Sequence, residues 1–189
     1  MSRTFGFPLA VWLLAAISLT GTAQAQEAAS TAQDVKARLR SYLFDAARAG
    51  HLPALREFIA AGYDLDTADG KGYTAVILAA YHGHAEAVDA LLAAGADACA
   101  EDARGNTALM GAIFKGEMAI ARRLIAADCA PDQRNRAGQT PAMYAALFGR
   151  LELLDALSAK GADLEATDDA GNSAAALARG EIRSAASAR

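Results

Sequence analysis

The sequence predicts an all-α solenoid of stacked helix–turn–helix units joined by β-turn/hairpin loops. Three observations predict it. A glycine returns every 33 residues, at Gly72, Gly105, Gly138 and Gly171. A hydroxyl residue follows each at a constant offset: Thr74, Thr107, Thr140 and Ser173. A second glycine keeps the same period at Gly50, Gly83, Gly116 and Gly149. A fixed period of this length marks supersecondary units that bury a continuous core by stacking on one another. Such an array offers an extended surface, so binding is expected ahead of chemistry.

The unit reads most clearly from Asp69 to Glu101. Asp69-Gly70-Lys71-Gly72 is turn chemistry, rich in residues that tolerate positive φ. Thr74 fits a helix N-cap, its hydroxyl free to accept a backbone N–H of the first turn. In the copy that starts at Thr140, Pro141 follows at the favoured first helical position. A short apolar helix is predicted from about Ala75 to Tyr81, broken at Gly83-His84. A second helix carries Ala87, Val88, Leu91 and Leu92, a one-sided apolar stripe. Gly95 then ends it.

The segments G-Y-T-A-V-I-L-A-A-Y-H-G-H at 72–84 and L-L-A-A-G-A-D at 91–97 carry a family resemblance. So do G-N-T-A-L-M at 105–110, G-Q-T-P-A-M-Y-A-A at 138–146 and K-G-A-D-L at 160–164. The chain resembles the ankyrin repeat over about residues 36–180. The resemblance implies helix pairs stacked into a curved array. Two departures stand out. The family's histidine after T-P-L is replaced by Ile77, Met110 and Met143, so apolar packing must take over its role. Asp128 replaces the helix-ending glycine, and Pro131 follows, so that loop is expected to leave the family's shape.

The expected organisation is a signal segment at 1–25, a disordered lead at 26–34 and an N-terminal capping repeat at 35–68. Full repeats follow at 69–101, 102–134 and 135–167, with a partial capping repeat at 168–189. The pairs Ala46-Ala47, Ala79-Ala80 and Ala145-Ala146, with Ala112-Ile113 between, share one repeat position. Small side chains there let neighbouring helices approach closely while Leu, Ile and Phe fill the remaining space. The end units are atypical. The first has no turn glycine, and the polar stretch from Glu181 is expected to fray.

The N-terminus reads as a secretory signal. Arg3 is the basic region, Leu9 to Leu19 the short apolar run, and Ala23-Gln24-Ala25 an A-x-A cleavage site. The run is shorter than the roughly 20 residues a membrane span needs. No Cys follows it closely, which argues against a lipid anchor. Cleavage is expected before Gln26, and the alanine-rich signal points to the periplasm.

Composition adds limits. The net charge is −4 and no basic run occurs, which argues against nucleic acid as the main ligand. No phosphate loop, zinc spacing or nucleophile elbow appears, so neither enzyme activity, metal nor cofactor is expected. His51 and His84 share a repeat position and are assigned to the start of the second helix. His82 lies at the exposed end of a first helix. His82 and His84 alone are too few for zinc. Cys99 and Cys129 are the two cysteines. An oxidising compartment favours pairing. Their unequal repeat positions, with units stacked about 10 Å apart, favour two separate thiols.

The resemblance also implies where a partner touches: the turn tips and the exposed ends of the first helices. Carried onto this chain, the turn positions are Lys71, Tyr73, Glu101, Arg104, Asn106, Arg134, Arg136 and Gln139. The helix-end positions are Arg48, Tyr81, His82, Phe114, Lys115, Leu147 and Phe148. Tyr81, Phe114 and Leu147 repeat at the 33-residue spacing and are expected to form a stripe. Exposed aromatic residues beside arginines have the composition of binding hot spots. The protein-binding set is therefore Tyr73, Tyr81, His82, Arg104, Phe114, Lys115, Arg134, Arg136, Leu147 and Phe148. The basic excess suggests a protein partner with an acidic and apolar surface, bound by a monomer. No membrane contact is expected after cleavage.

Two function classes follow. Some small bacterial ankyrin proteins are associated with peroxide defence, which implies an adaptor or stabiliser of a periplasmic partner. The alternative is an immunity protein that blocks a toxin acting in the periplasm. A neighbouring catalase or redox gene would favour the first, and a toxin gene the second.

Overall fold

The computed structural model describes residues 31–183. The expected signal segment, its cleavage site, the start of the lead and the last six residues lie outside the described residues. The chain divides into two compact units, Met1–Ser41 and Tyr42–Arg189, and the repeats occupy the second.

Helices come in pairs. α1 spans 31–49 and is followed by α2, Leu52–Ala60. The next pairs are α3 (Ala75–Tyr81) with α4 (Ala85–Ala93), α5 (Ala108–Lys115) with α6 (Met118–Ala126), and α7 (Pro141–Leu147) with α8 (Leu151–Ala159). α9 (Ala174–Ala178) opens a last, incomplete repeat. First helices stack in one layer, α3 on α5 on α7 on α9. Second helices stack in another, α2 on α4 on α6 on α8. Residues 31–34, expected to close an irregular lead, are already helical. The stretch Ala32-Gln33-Asp34-Val35-Lys36 holds neither Gly nor Pro to stop a helix propagating backwards.

Each first helix starts for the same local reason. The hydroxyls of Thr74, Thr107, Thr140 and Ser173 accept N–H bonds from Ile77, Met110, Met143 and Ala176 at 3.2–3.4 Å. A cap of this kind contributes about 1 kcal/mol. The residues that replace the family histidine are buried: Ile77 is 6%, Met110 0% and Met143 1% exposed. Met143 also turns its sulfur to the Thr140 N–H.

The turn ahead of each cap is built by one side chain. Asp69, Asp102, Asn135 and Asp168 each accept two backbone N–H bonds, from the second and fourth residues downstream. Successive turns are tied along the stack. Ala103 N–H donates to the Lys71 carbonyl, Arg136 N–H to that of Arg104 and Asp169 N–H to that of Ala137. The hairpins are reduced to single bridges, Glu101 to Thr107 and Thr167 to Ser173.

The core lies between the two layers. Leu55, Val88, Leu91, Ile120, Leu124, Leu153 and Leu157 of the second helices are at most 2% exposed, against the buried alanines of the first helices. Each fully buried Leu or Ile contributes roughly 1.5–3 kcal/mol of transfer free energy. The histidines at the repeat position serve structure. His51 Nδ1 accepts the Ala54 N–H at the start of α2. The His84 ring bonds the Arg48 carbonyl across the first repeat boundary at 2.8 Å.

α6 is the exception. α2, α4 and α8 end on Gly62, Gly95 and Gly161 in the left-handed region, and the next N–H turns back to the helix. After α6, Ala127 is extended at φ −65°, ψ 157°. The helix's last carbonyls are instead held by Lys160, whose ammonium donates to Ile125 and Ala127 from the following repeat. The displaced chain brings Cys129 to Cys99, with Cα atoms 5.6 Å apart, and the two form a disulfide. The expected pair of separate thiols is therefore corrected. The regular repeat geometry that disfavoured pairing does not hold where the helix-ending glycine is missing. The other end also differs from expectation. Residues 181–183 continue in contact with the array: Arg183 donates its N–H to Asn172 Oδ1 at 2.6 Å and accepts from Asn172 Nδ2.

Candidate functional site

The face carrying the hairpin turns and the first helices holds a cleft of about 780 Å³ that reaches from Arg48 in the first repeat to Tyr144 in the fourth. Its rim holds Arg48, Lys71 and Arg104, its walls Tyr73, Tyr81, Phe114 and Tyr144, and its floor Met110 and Gly111.

The aromatic residues are joined in a row. Tyr81 stacks on Phe114 with centroids 6.3 Å apart, and Phe114 meets Phe148 edge-on at 5.2 Å. Phe148 in turn lies 6.0 Å from Tyr144. Lys115 places its ammonium 5.2 Å above the Tyr81 ring, a cation–π contact. These rings keep open surface: Tyr81 is 39% and Phe114 46% exposed. The 33-residue spacing put Leu147 in the stripe. Phe148, also expected on this face, is the residue whose ring meets Phe114, and Leu147 is exposed.

A half-buried polar knot joins the third and fourth repeats beside the cleft. Tyr144 OH donates to Asn106 Oδ1 at 3.1 Å. Asn135 Nδ2 donates to Asn106 Oδ1 at 2.9 Å and to Gln139 Oε1 at 3.1 Å. Burial pushes the Tyr144 phenol above its usual range, although the Asn135 hydrogen bond opposes the shift.

The charges divide into two groups. Asp69 and Asp102 are occupied: each binds the backbone of its own turn. Asp69 also sits 3.5 Å from the Arg48 guanidinium, and Asp102 accepts from Asn106 Nδ2. The cations are not matched. Among the described residues, Lys71, Arg104, Lys115 and Arg136 form no salt bridge.

The expected binding set is thus only partly gathered. Tyr73, Tyr81, His82, Arg104 and Phe114 line the cleft, with Lys115 above Tyr81. Arg134 does not face it. Its guanidinium bonds the carbonyls of Gly138 and Thr167, tying the third hairpin to the next. Arg136, Leu147 and Phe148 also stand outside the cleft lining. Tyr144 and Gly111 were not singled out by the sequence reading. Both occupy one register of the first helices, shared with Leu78, and a break from Leu to Gly to Tyr at 33-residue spacing was the available signal.

A sequence model of ankyrin repeats, three copies, matches residues 43–135 and 86–168. The chain belongs to the ankyrin-repeat family. The matched residues span the helix pairs from α1 to α8, and the cleft falls wholly within them. No curated protein matches the sequence. Ankyrin repeats are protein-interaction modules, and the chain is one. Among the described residues, no group of three His, Cys, Asp or Glu is placed to hold a metal ion, and no helix is long and apolar enough to cross a membrane.

Proposed function

We propose that this ankyrin-repeat protein is exported by its N-terminal signal and acts in the periplasm as an adaptor or stabiliser of a partner protein. The partner is bound by a monomer through the face of the hairpin turns and first helices. The observation that carries the proposal is the pairing of open aromatic rings, Tyr81 and Phe114, with cations that form no salt bridge among the described residues. Exposed aromatics beside arginine and lysine are the residue types that concentrate binding energy at interfaces. The disulfide between Cys99 and Cys129 supports an oxidising compartment. A link to peroxide or redox defence is one form this role would take.

The test has two parts. Protein recovered from the periplasm of its host should begin at Gln26 by mass analysis, whereas intact Met1 in the cytoplasmic fraction would overturn export. Partner binding should then depend on Phe114. Its ring is 46% exposed but packs on Tyr81 and Phe148, so Phe114→Ala is expected to cost about 1–2 kcal/mol of stability while leaving the array folded. The same change should weaken the native complex by about 2 kcal/mol. Unchanged partner capture by a folded Phe114→Ala protein would place the interface elsewhere.

A further inference from the structure

Gly111 stands inside α5, where glycine is among the least favoured residues. The same register holds Leu78 in α3, Tyr144 in α7 and Leu177 in α9. Leu78 and Leu177 are buried, at 5% and 9% exposure, and fill their places with bulk. Nothing about the backbone asks for glycine at 111. Its φ is not positive, and a Cβ added there would meet only Tyr81, at an ordinary contact distance of 3.7 Å. The consequence of the missing side chain is space: Gly111 lies on the floor of the cleft between Tyr81, Phe114 and Tyr144.

We propose that Gly111 is a specificity-determining position. It opens a socket for one bulky apolar side chain of the partner, carried on an acidic segment whose carboxylates meet Lys71 and Arg104. This rests on the interaction-face proposal and deepens it. The apolar anchor follows from the lining, to which Tyr73, Tyr81, Phe114 and Tyr144 bring ring surface. The acidic flanks follow from charge. Among the described lining residues Arg48 is paired with Asp69, and Lys71 and Arg104 stand against the single further carboxylate of Asp102, which is held by its own turn, so the rim keeps a net positive charge. A basic segment would bring like charge to that rim and lose affinity. An acidic segment without the anchor would leave the socket to water.

The probe is an acetylated nine-residue peptide of Asp and Glu around one central Phe, titrated by fluorescence anisotropy against the full chain. Two control peptides replace the acids with Lys or the Phe with Gly. Saturable binding of the first peptide is expected, weaker by at least about tenfold for either control. Gly111→Ala should retain binding within about threefold and Gly111→Leu should lose at least about tenfold, both with wild-type circular dichroism. Should Gly111→Leu fail to fold, the double variant Lys71→Glu, Arg104→Glu tests the rim, since both residues are exposed and form no salt bridge among the described residues. The double variant should bind the acidic peptide at least about tenfold more weakly. Equal binding of all three peptides, wild-type affinity in folded Gly111→Leu, wild-type affinity in the double variant, or no saturable binding up to about 1 mM overturns the proposal. Native partner binding that is lost in Phe114→Ala but intact in Gly111→Leu refutes the socket while leaving the interaction face standing. Loss in neither refutes both.

Discussion

At the scale of single residues, the repeated glycines and the isolated one have opposite explanations. Gly105 is required by the backbone. Its φ is +77°, in the left-handed region, and an added Cβ would lie 3.0 Å from Asn135 Cα in the next turn. The Asn135 backbone is itself fixed, because Arg136 N–H donates to the Arg104 carbonyl beside it. Gly105→Ala therefore combines conformational strain with crowding. It should lower stability by about 1 kcal/mol or more, read from the midpoint of a urea melt. An unchanged midpoint would show that the two turns can part at no cost. Gly111 has neither constraint. In a helix interior glycine is about 1 kcal/mol worse than alanine, so Gly111→Ala should move the same midpoint the other way. The contrast separates a glycine kept by geometry from one kept for the space it leaves.

At the scale of elements, the first helices were legible because each carries its own start signal. A hydroxyl cap, a turn-building Asp or Asn and a positive-φ glycine all lie within a few residues, so period and local chemistry agree. The end of α6 was legible only as a departure. Asp128 in place of glycine announced an irregular loop, but where that loop goes depends on Lys160 from the next repeat and on Cys99 from the previous one. Those contacts cross repeat boundaries and leave no local sequence pattern. The row of rings shows the same limit of periodicity: a constant period places Leu147 with Tyr81 and Phe114, whereas Phe148, also expected on this face, is the residue whose ring packs on Phe114. The disulfide closes a loop of 30 residues' separation across two repeats. In the chain-entropy account a closure of that size contributes roughly 3–4 kcal/mol. The double variant Cys99→Ser, Cys129→Ser should therefore melt well below wild type, and reductant should lower wild type to the same level while leaving the variant unmoved. A variant as stable as oxidised wild type would mean that Lys160 and the neighbouring packing hold the α6 loop unaided.

At the scale of the whole array, stability is expected to be a sum of repeat terms and nearest-neighbour interfaces, because the main helix contacts are within a repeat or with the adjoining one. α5 and α6 have neighbours on both sides, whereas α9 is five residues long and packs chiefly on α7. Its end is closed by one side chain. Asn172, 6% exposed, accepts the Arg183 N–H and donates to the Asp168 carboxylate and the Arg183 carbonyl. Asn172→Ala removes these bonds without touching any other interface. Native-state amide exchange should then show α9 losing at least about tenfold in protection, α7 losing less, and α3 and α4 unchanged. The gradient is the decisive feature. Loss of an end repeat removes one interface term from its neighbour, and the next repeat inward feels only the fraction of molecules in which that neighbour has also opened. A uniform loss of protection from α3 to α9 would contradict the nearest-neighbour description and make the array one cooperative unit. The cleft would then share its stability with a repeat that it does not contain. A graded loss would mean that the last repeat can be shed while the face between Arg48 and Phe114 stays assembled.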